Sequence, residues 1–362
     1  MALTVNTNIS SIIAQRSLNN ATNSMNTSLE RMSTGYKINH AKDNAAGYSI
    51  ANSWETKLGS LDVAANNAAT GLDLLTTAEE TYSLLTSHLQ RVRDLTEQAA
   101  NGTYGSQSLK AIQSEISARL LEINRLSANS EFNGIKLMAY DEITASNNTD
   151  VGITSAGLNL QVGLYADENS IINLDASLFG KANLSGLFVG QFSKTYDVKE
   201  TNGTDGTRNL SQLLVAAGAK DGTNPIDLKS AQGVEGFAAA CAGLKYVKKG
   251  TTVDGVALTE DKYWLQTDGN LGAKEMLRYL DSSIDELSSR VTQIGAVQNR
   301  VQSAAEALDV QAQNLTSSLS TLRDTDIAEE SSTYIQQQIL QQASATLLST
   351  ANQLPSIALN LI

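Results

Sequence analysis

The sequence predicts a mainly α-helical protein: a long antiparallel helical coiled-coil rod built from N- and C-terminal segments, with β-hairpins and a small inserted mixed α/β domain. Three observations carry this prediction. Apolar residues recur at spacings of three and four near both ends, whereas the middle alternates apolar and polar residues. The 362 residues include only 2 prolines and 5% aromatic residues, which favours long helices joined through small and aliphatic side chains.

The clearest periodicity is a heptad repeat in residues 277–322. No proline interrupts it, its one glycine is Gly295, and Gln298 is the polar break in its apolar seam. The apolar positions are Leu277, Leu280, Ile284, Leu287, Val291, Ile294, Val301, Ala305, Leu308, Ala312, Leu315, Leu319 and Leu322. A stripe this narrow is buried only against another helix, so the remaining chain or a second copy must supply the partner.

The first part of the chain carries the same helical spacing. Three helices are predicted there, in residues 1–34, 45–99 and 106–128. The Asn-Thr-Asn run at 6–8 offers N-caps, and the glycine- and asparagine-containing stretch 35–44 breaks the chain between the first two helices. The second helix would be about 80 Å long at ~1.5 Å per residue, although Gly59 and Gly71 weigh against its continuity.

The middle changes to a period of two. Residues 158–162 and 172–175 alternate, and 167–170 between them is typical of a hairpin turn. Residues 181–269 form a mixed insert, after which the heptad repeat and a last helix at 328–354 follow. Within the insert, strand-like pieces lie at 187–192, 246–248 and 263–266, and helix-like pieces at 210–217 and 236–244.

Composition excludes several classes of partner. The net charge of −12 and a pI near 4.7 argue against nucleic acid and against an anionic membrane surface. The single Cys241 cannot form an internal disulfide, and no stretch of 18 apolar residues predicts a transmembrane helix. No cleavable signal begins the chain, which indicates a cytoplasmic protein unless a dedicated machine exports it.

No catalytic, cofactor-binding or metal-binding constellation is evident. His40 and His88 lie far apart without a metal-ligand pattern. Residues 250–255 have the glycine spacing of a phosphate loop but lack the following Lys-Ser/Thr, so they indicate a hairpin turn instead. The apolar C-terminal region has no Lys or Arg from residue 328 onward, which favours a protein–protein seam over an amphipathic membrane helix.

Several motifs, in chain order, resemble bacterial flagellin. They occupy residues 6–8, 29–39, 41–47, 50–52, 90–103, 132–134, 295–300, 339–343 and 351–355. The similarity covers roughly residues 1–180 and 270–362, whereas the insert has no counterpart in the resemblance. Two departures stand out: Asn44, where many members are acidic, and the end Asn-Leu-Ile, where many end in a basic residue.

The resemblance implies a structural subunit that polymerises into the flagellar filament for motility. It would be a secreted, extracellular, non-enzymatic protein, exported unfolded through the flagellar channel. Three domains are then expected: a terminal helical domain in the filament's inner core, a rod with a β-hairpin, and a variable, surface-exposed outer domain. Their bounds are 1–44 with 320–362, 45–180 with 270–319, and 181–269. The implied partners are further copies of the chain, an export chaperone, and cap and junction proteins.

The stripes of the two terminal helices are the expected polymerisation core. Their members are Ile9, Ile12, Leu18, Met25, Leu29, Ile335, Ile339, Leu347, Leu348, Leu354 and Ile357. The resemblance also implies contact with Toll-like receptor 5 through Arg91, Leu95 and Glu115, with filament contacts alone as the competing interpretation.

Two alternatives remain open at this point. One is a hook-filament junction protein, which shares the terminal helices, and the other is a flagellin with an enzymatic insert. The length and the match at both ends favour the filament, and the lack of metal ligands disfavours the enzyme.

Overall fold

The computed structural model describes most of the chain, and its packing falls into two compact units. The described residues are 8–138, 151–152, 157–165, 167–180, 182–189, 195–199, 205–209, 231–247, 252–253, 256–257, 262–265 and 271–359. The first unit comprises Met1–Val63 and Ala307–Ile362, and the second comprises Ala64–Glu306. Among the described helices, none has both the length and the apolarity that a bilayer crossing requires.

Over residues 8–63 and 307–359, the first unit consists of helices joined by turns, with one isolated β-bridge between Tyr36 and Asp324. It contains α1 (Ile9–Thr34), the beginning of α2 (Ala45–Ala99), the end of α6 (Leu271–Arg323) and α7 (Ile327–Leu359). The expected cap is confirmed, because the Asn8 side chain accepts a hydrogen bond from the backbone N–H of Ser11 at 3.1 Å. The expected break is confirmed as well: Gly35 ends α1 at φ +75° and donates its N–H to the Arg31 carbonyl at 2.8 Å.

The two helix breaks of this unit are joined through their backbones. The Thr325 N–H donates to the Gly35 carbonyl at 2.9 Å, and the Lys37 N–H donates to the Arg323 carbonyl at 2.7 Å. Asp326 then starts α7, since its carboxylate accepts the N–H of Ala328 at 2.8 Å. The sequence-predicted last helix is confirmed and extends to Leu359.

The second unit is built on three helices: the remainder of α2, α3 (Ser106–Asn129) and the first part of α6. As α2 advances from Glu79 to Arg93, its hydrogen-bonded partner in α6 moves back from Gln298 to Asp281, so these helices are antiparallel. The heptad prediction is confirmed here. One position of the repeat is fully buried in every heptad of this unit: Leu280, Leu287, Ile294 and Val301.

Helix α2 is continuous, so the doubt raised by its glycines is resolved in favour of one helix. Gly71 has a packing reason. A Cβ at this position would lie 2.4 Å from a methyl carbon of Leu160, so the glycine permits close approach of the β-hairpin.

Two small β structures follow α3. Strands β1 (Glu131–Phe132) and β2 (Ile135–Lys136) are antiparallel, and β3 (Val151–Gly152) pairs with β2 in parallel. The predicted hairpin is confirmed as β4 (Leu158–Gln161) and β5 (Ile171–Leu174), paired in the register Leu158↔Leu174 to Gln161↔Ile171.

The segment after this hairpin is held to the helices by Tyr82 of α2 and Arg290 of α6. Burial raises the pKa of the Tyr82 hydroxyl, which donates towards the carbonyls of Leu178 at 3.0 Å and Gly180 at 3.2 Å. The Arg290 guanidinium also donates to the Gly180 carbonyl, at 2.9 Å. Two donors from different helices therefore fix one loop.

The insert is a set of short elements. They are α4 (Leu184–Val189), β6 (Thr195–Lys199), β7 (Asp205–Asn209), α5 (Ala231–Cys241), β8 (Leu244–Val247), β9 (Thr252–Val253), β10 (Val256–Ala257) and β11 (Lys262–Leu265). Antiparallel pairs join β6 to β7, β8 to β11 and β9 to β10. The predicted strands near 246 and 263, the helix near 236 and the hairpin around 250–255 are confirmed, and the predicted helix at 210–217 lies outside the described residues.

The strand predicted at 187–192 is wrong, because α4 occupies its start. Asn183 initiates this helix: its side chain accepts the N–H of Gly186 at 2.7 Å, and its carbonyl accepts the N–H of Leu187 at 3.0 Å. Leu187 and Phe188 are both buried, as neighbours in a fully enclosed helix can be, and Phe188 packs against Phe237 of α5 with ring centroids 4.7 Å apart.

Candidate functional site

The pair α1–α7 is joined by a seam of small and polar side chains. The buried residues are Ala14, Ala21 and Ser28 on α1, seven positions apart, and Glu330, Ser344 and Ala351 on α7. Small side chains allow two helix backbones to approach closely, and the seven-residue spacing keeps them on one face. Leu18, Met25 and Leu348 lie at the margins of the seam and are partly buried.

Polar contacts fix the register and direction of this pair. The Asn8 amide donates to the Ala351 carbonyl at 2.7 Å, and the Gln341 amide donates to the Thr22 hydroxyl at 3.0 Å. The partner on α7 moves backwards as α1 advances, so the helices are antiparallel. Near the other end, Glu330 is buried with the Arg31 guanidinium 3.7 Å away, which offsets part of the cost of burying its charge.

Several large aliphatic residues of the pair are exposed and do not pack in the seam. Each of the following is more than half exposed: Ile9, Ile12, Ile13, Leu29, Ile335, Ile339 and Leu347. Leu340 is only slightly less exposed. We call these eight residues the outer face. Exposure of so many large aliphatic side chains on one helix pair favours an interaction surface.

Six of the eight outer-face residues belong to the polymerisation core predicted from the sequence. Ile13 and Leu340 are the two additions, and each is an aliphatic residue next to a predicted one. The side chains of Leu354 and Ile357 lie outside the described residues.

The expected receptor residues are divided between surface and core. The Arg91 guanidinium of α2 donates through Nε and Nη2 to the Glu115 carboxylate of α3, at 3.0 and 2.8 Å, and both side chains are partly exposed. Leu95 is only 2% exposed. Its side chain packs in the helix core of the second unit, so a role for Leu95 in receptor contact stays a prediction in which it supports the exposed Arg91.

The two histidines and the single cysteine are each held by packing or by a charged neighbour. Partial burial, aided by the charge of Arg119, lowers the pKa of His88, whose Nδ1 is 3.5 Å from the Arg119 guanidinium. Complete burial raises the pKa of the Cys241 thiol to about 12, so it is a small packing residue, as predicted. His40 pairs with Glu30 at 2.9 Å. Within the described ranges, no three His, Cys, Asp or Glu side chains are grouped so as to hold a metal ion.

Comparisons with known proteins agree with this helical arrangement. The bacterial flagellin N-terminal helical region matches residues 5–142, and the bacterial flagellin C-terminal helical region matches residues 277–362. Flagellin B of Vibrio anguillarum is 34% identical, with all of both chains covered. The chain belongs to the bacterial flagellin family. Polar flagellin F of Vibrio parahaemolyticus is similar at 32% identity, again with full coverage of both chains.

Membership of the flagellin family establishes the role. The chain is a structural subunit of the flagellar filament and is located outside the cell, and nothing found favours the junction-protein alternative. A solved structure described as a flagellar hook-associated protein from Vibrio parahaemolyticus covers 78% of this chain and is itself covered completely. Its TM-score of 0.46 at 12% identity is too low to bear on that choice.

Proposed function

We propose that the outer face of the α1–α7 pair is the surface through which subunits polymerise. The observation that carries this proposal is the burial pattern of the pair. Small residues are buried between the two helices, and the large aliphatic residues of the outer face are exposed. Full burial of one Leu or Ile contributes about 1.5–3 kcal/mol, so neighbouring subunits that cover this face gain more than the intramolecular seam supplies. Leu18, Met25 and Leu348 at the margins, and Leu354 and Ile357 by sequence, belong to the same proposal.

Replacing one outer-face residue tests it. Ile339→Gln keeps a good helix former and removes one exposed aliphatic side chain. The critical concentration for seeded assembly, measured by sedimentation, should rise about tenfold or more. Leu121→Gln is the matched control, because Leu121 is an exposed leucine of α3 in the other unit. Equal critical concentrations for Ile339→Gln and the parent would refute the outer face as the polymerisation surface.

Folding of this pair should be coupled to assembly. A seam of small residues removes little apolar area from water, whereas ordering each residue costs about 1–2 kcal/mol. The pair is then largely disordered in the free subunit and helical in the filament. Circular dichroism should show helix content rising on polymerisation, and deletion of residues 355–362 should leave a folded, soluble subunit that does not assemble. Full helicity in the free subunit, or filaments from the shortened chain, would contradict coupled folding.

The three segments named from the sequence receive distinct roles in this proposal. Residues 1–44 with 320–362 form the filament's inner core, 45–180 with 270–319 form the surrounding rod, and 181–269 form the variable outer domain. Replacing residues 187–266 by a Gly/Ser linker should still give filaments in electron micrographs, because both heptad seams lie outside this range. A replaced chain that remains monomeric where the parent assembles would assign the insert an essential role.

The same role implies export and specific partners. We infer that the subunit crosses the flagellar channel unfolded, that an export chaperone holds it before export, and that cap and junction proteins contact its ends in the filament. The single cysteine supports this route, because the chain cannot form an intramolecular disulfide that would resist threading. The subunit acts as a structural polymer without catalytic activity.

The ion pair on the α2–α3 surface supports a second candidate function, recognition by Toll-like receptor 5. Arg91 and Glu115 hold each other in a fixed geometry, which presents a pre-organised charged patch. Arg91→Ala should reduce the response of a receptor reporter to the monomer by about tenfold. Arg125→Ala is the control, since Arg125 forms a comparable exposed pair with Glu122. An unchanged dose–response curve for Arg91→Ala would remove the patch from consideration.

A further inference from the structure

A pocket of about 500 Å³ opens in the unit that contains α1 and α7. Its lining includes the apolar residues Ile38, Trp54 and Leu322 and the polar residues Lys37, Asn44 and Ser318. Ile38 is buried, whereas Trp54 and Leu322 are partly exposed at the pocket wall. Ser317 and Thr321 complete the lining, so three apolar residues stand among five polar ones, and a concavity of this size can receive a side chain that has both an apolar contact and polar neighbours.

The pocket is held in shape from several sides. Besides the backbone bond between Lys37 and Arg323, the Lys37 ammonium donates to the Thr321 carbonyl at 3.2 Å. The Arg323 guanidinium stacks 4.2 Å from the centre of the Tyr36 ring and pairs with Glu55 of α2. The loop wall is therefore tied to the end of α6, and the end of α6 is tied to α2, so the pocket is already formed in the single chain.

We propose that this pocket receives an apolar side chain of a neighbouring copy of the chain in the filament, with Lys37 facing that copy's carboxylates. The proposal rests on assembly through the outer face, which belongs to the same compact unit. Charge favours the same occupant. Among the described residues that line the pocket, Lys37 is the charged one, and each neighbouring copy has 38 Asp and Glu residues that can supply a carboxylate to pair with it.

The shape of the assembly also favours a neighbouring copy as the occupant. A pocket that takes a protrusion from another region of a second molecule makes a head-to-tail contact, which repeats without closing and generates a helical polymer. A filament subunit requires contacts of this type. The outer face provides apolar surface that can be buried, whereas the pocket provides a concave site, here called the socket. Insertion of a side chain into the socket can fix the position of the next subunit.

Trp54 reports directly on the pocket. The chain has 2 tryptophans, so Trp264→Phe leaves Trp54 as the single fluorophore. On assembly of this variant, the Trp54 emission should shift to the blue, and its acrylamide quenching constant should fall about threefold or more as the partly exposed ring is covered. A quenching constant in filaments equal to that of the monomer would overturn the proposal.

Filling the pocket in advance should weaken assembly. Ser318→Leu places an aliphatic side chain at the pocket lining and should raise the critical concentration about tenfold, with an unchanged circular dichroism spectrum of the monomer. Ser320→Leu is the matched control, because Ser320 is exposed on the same helix but does not line the pocket. An Ser318→Leu variant that assembles like Ser320→Leu would also count against the socket.

The same measurements separate this inference from the proposed function. If Ile339→Gln assembles normally while Trp54 becomes shielded, the outer face fails and the socket remains. If Ile339→Gln assembles poorly while Trp54 stays accessible in parent filaments, the socket fails and the outer face remains.

Discussion

The two compact units bury their helices by opposite means. Helices α2, α3 and α6 of the second unit enclose large side chains such as Tyr82, Leu89 and Leu120, all fully buried. The α1–α7 pair of the first unit encloses Ala14, Ala21 and Ser28, and leaves isoleucines such as Ile12 and Ile339 exposed. The second unit therefore obtains its hydrophobic stabilisation within one subunit, whereas under the proposed function the α1–α7 pair would obtain most of it from other subunits.

The difference matches what a filament subunit has to do. A free subunit whose whole length were equally stable would gain little on assembly, and one with no stable part would be exposed to proteolysis and aggregation before assembly. A self-sufficient helical unit beside a dependent helix pair separates these requirements along the chain.

The largest effect is expected from a core substitution that destabilises the second unit. Leu120→Ala removes a fully buried side chain of α3 and should lower the free energy of unfolding by about 2–5 kcal/mol, measured by urea denaturation. Leu121→Ala, at the adjacent exposed position, should change it by about 0.5 kcal/mol or less. Similar losses for both variants would mean that α3 is not packed as described.

A second substitution tests the small-residue seam. Ala21→Leu overpacks the contact between α1 and α7 at a cost of about 1–3 kcal/mol. The critical concentration should rise about tenfold, while urea unfolding of the second unit should not change. Asn20→Leu, one position away on the exposed side, is the control. Normal assembly of Ala21→Leu would show that the pair does not pack through this alanine.

Substitution of Gln298, the polar break in the heptad repeat, should change the stability of the second unit less than the core substitution does. Gln298 is partly buried and its amide donates to the Glu79 carboxylate at 2.8 Å. Gln298→Leu exchanges this hydrogen bond for apolar contact in the seam, so the free energy of unfolding should change by about 1 kcal/mol or less. A substantially larger loss would show that the Gln298–Glu79 contact fixes the pairing of α2 and α6.

The smallest expected effect concerns pH. The pKa of His88 is lowered in the folded chain by partial burial and by Arg119, so the unfolded chain binds the proton more tightly. The contribution of neutral His88 to the free energy of unfolding is therefore fully present above the unfolded pKa of about 6.5. This contribution is lost as the pH falls towards the lower pKa of the folded chain. Denaturation of the parent and of His88→Gln at pH 5 to 8 should show a weaker pH dependence for the variant.

Local sequence was sufficient for the long helices and for the two ends of α1. Asn8 and Gly35 mark the ends of α1 by their chemistry, and the three-four spacing of residues 277–322 predicts both the helix and its buried stripe. These features depend on neighbours within a few residues, which the sequence displays directly. The strand predicted at 187–192 failed because two adjacent buried residues, Leu187 and Phe188, satisfy a helix covered on several sides as well as a strand.

The sequence by itself determined that this protein is a chain of long helices with a mixed insert, and its motifs pointed to a filament subunit. Only the tertiary structure decided which side of each helix faces inward. It buried Ala21 instead of Ile12 between α1 and α7, placed Leu95 in the core beside an exposed Arg91, and formed the pocket at Trp54 from segments far apart in the chain. Helical periodicity fixes which residues share a face, but the choice of the buried face depends on the partner surface, which long-range packing supplies.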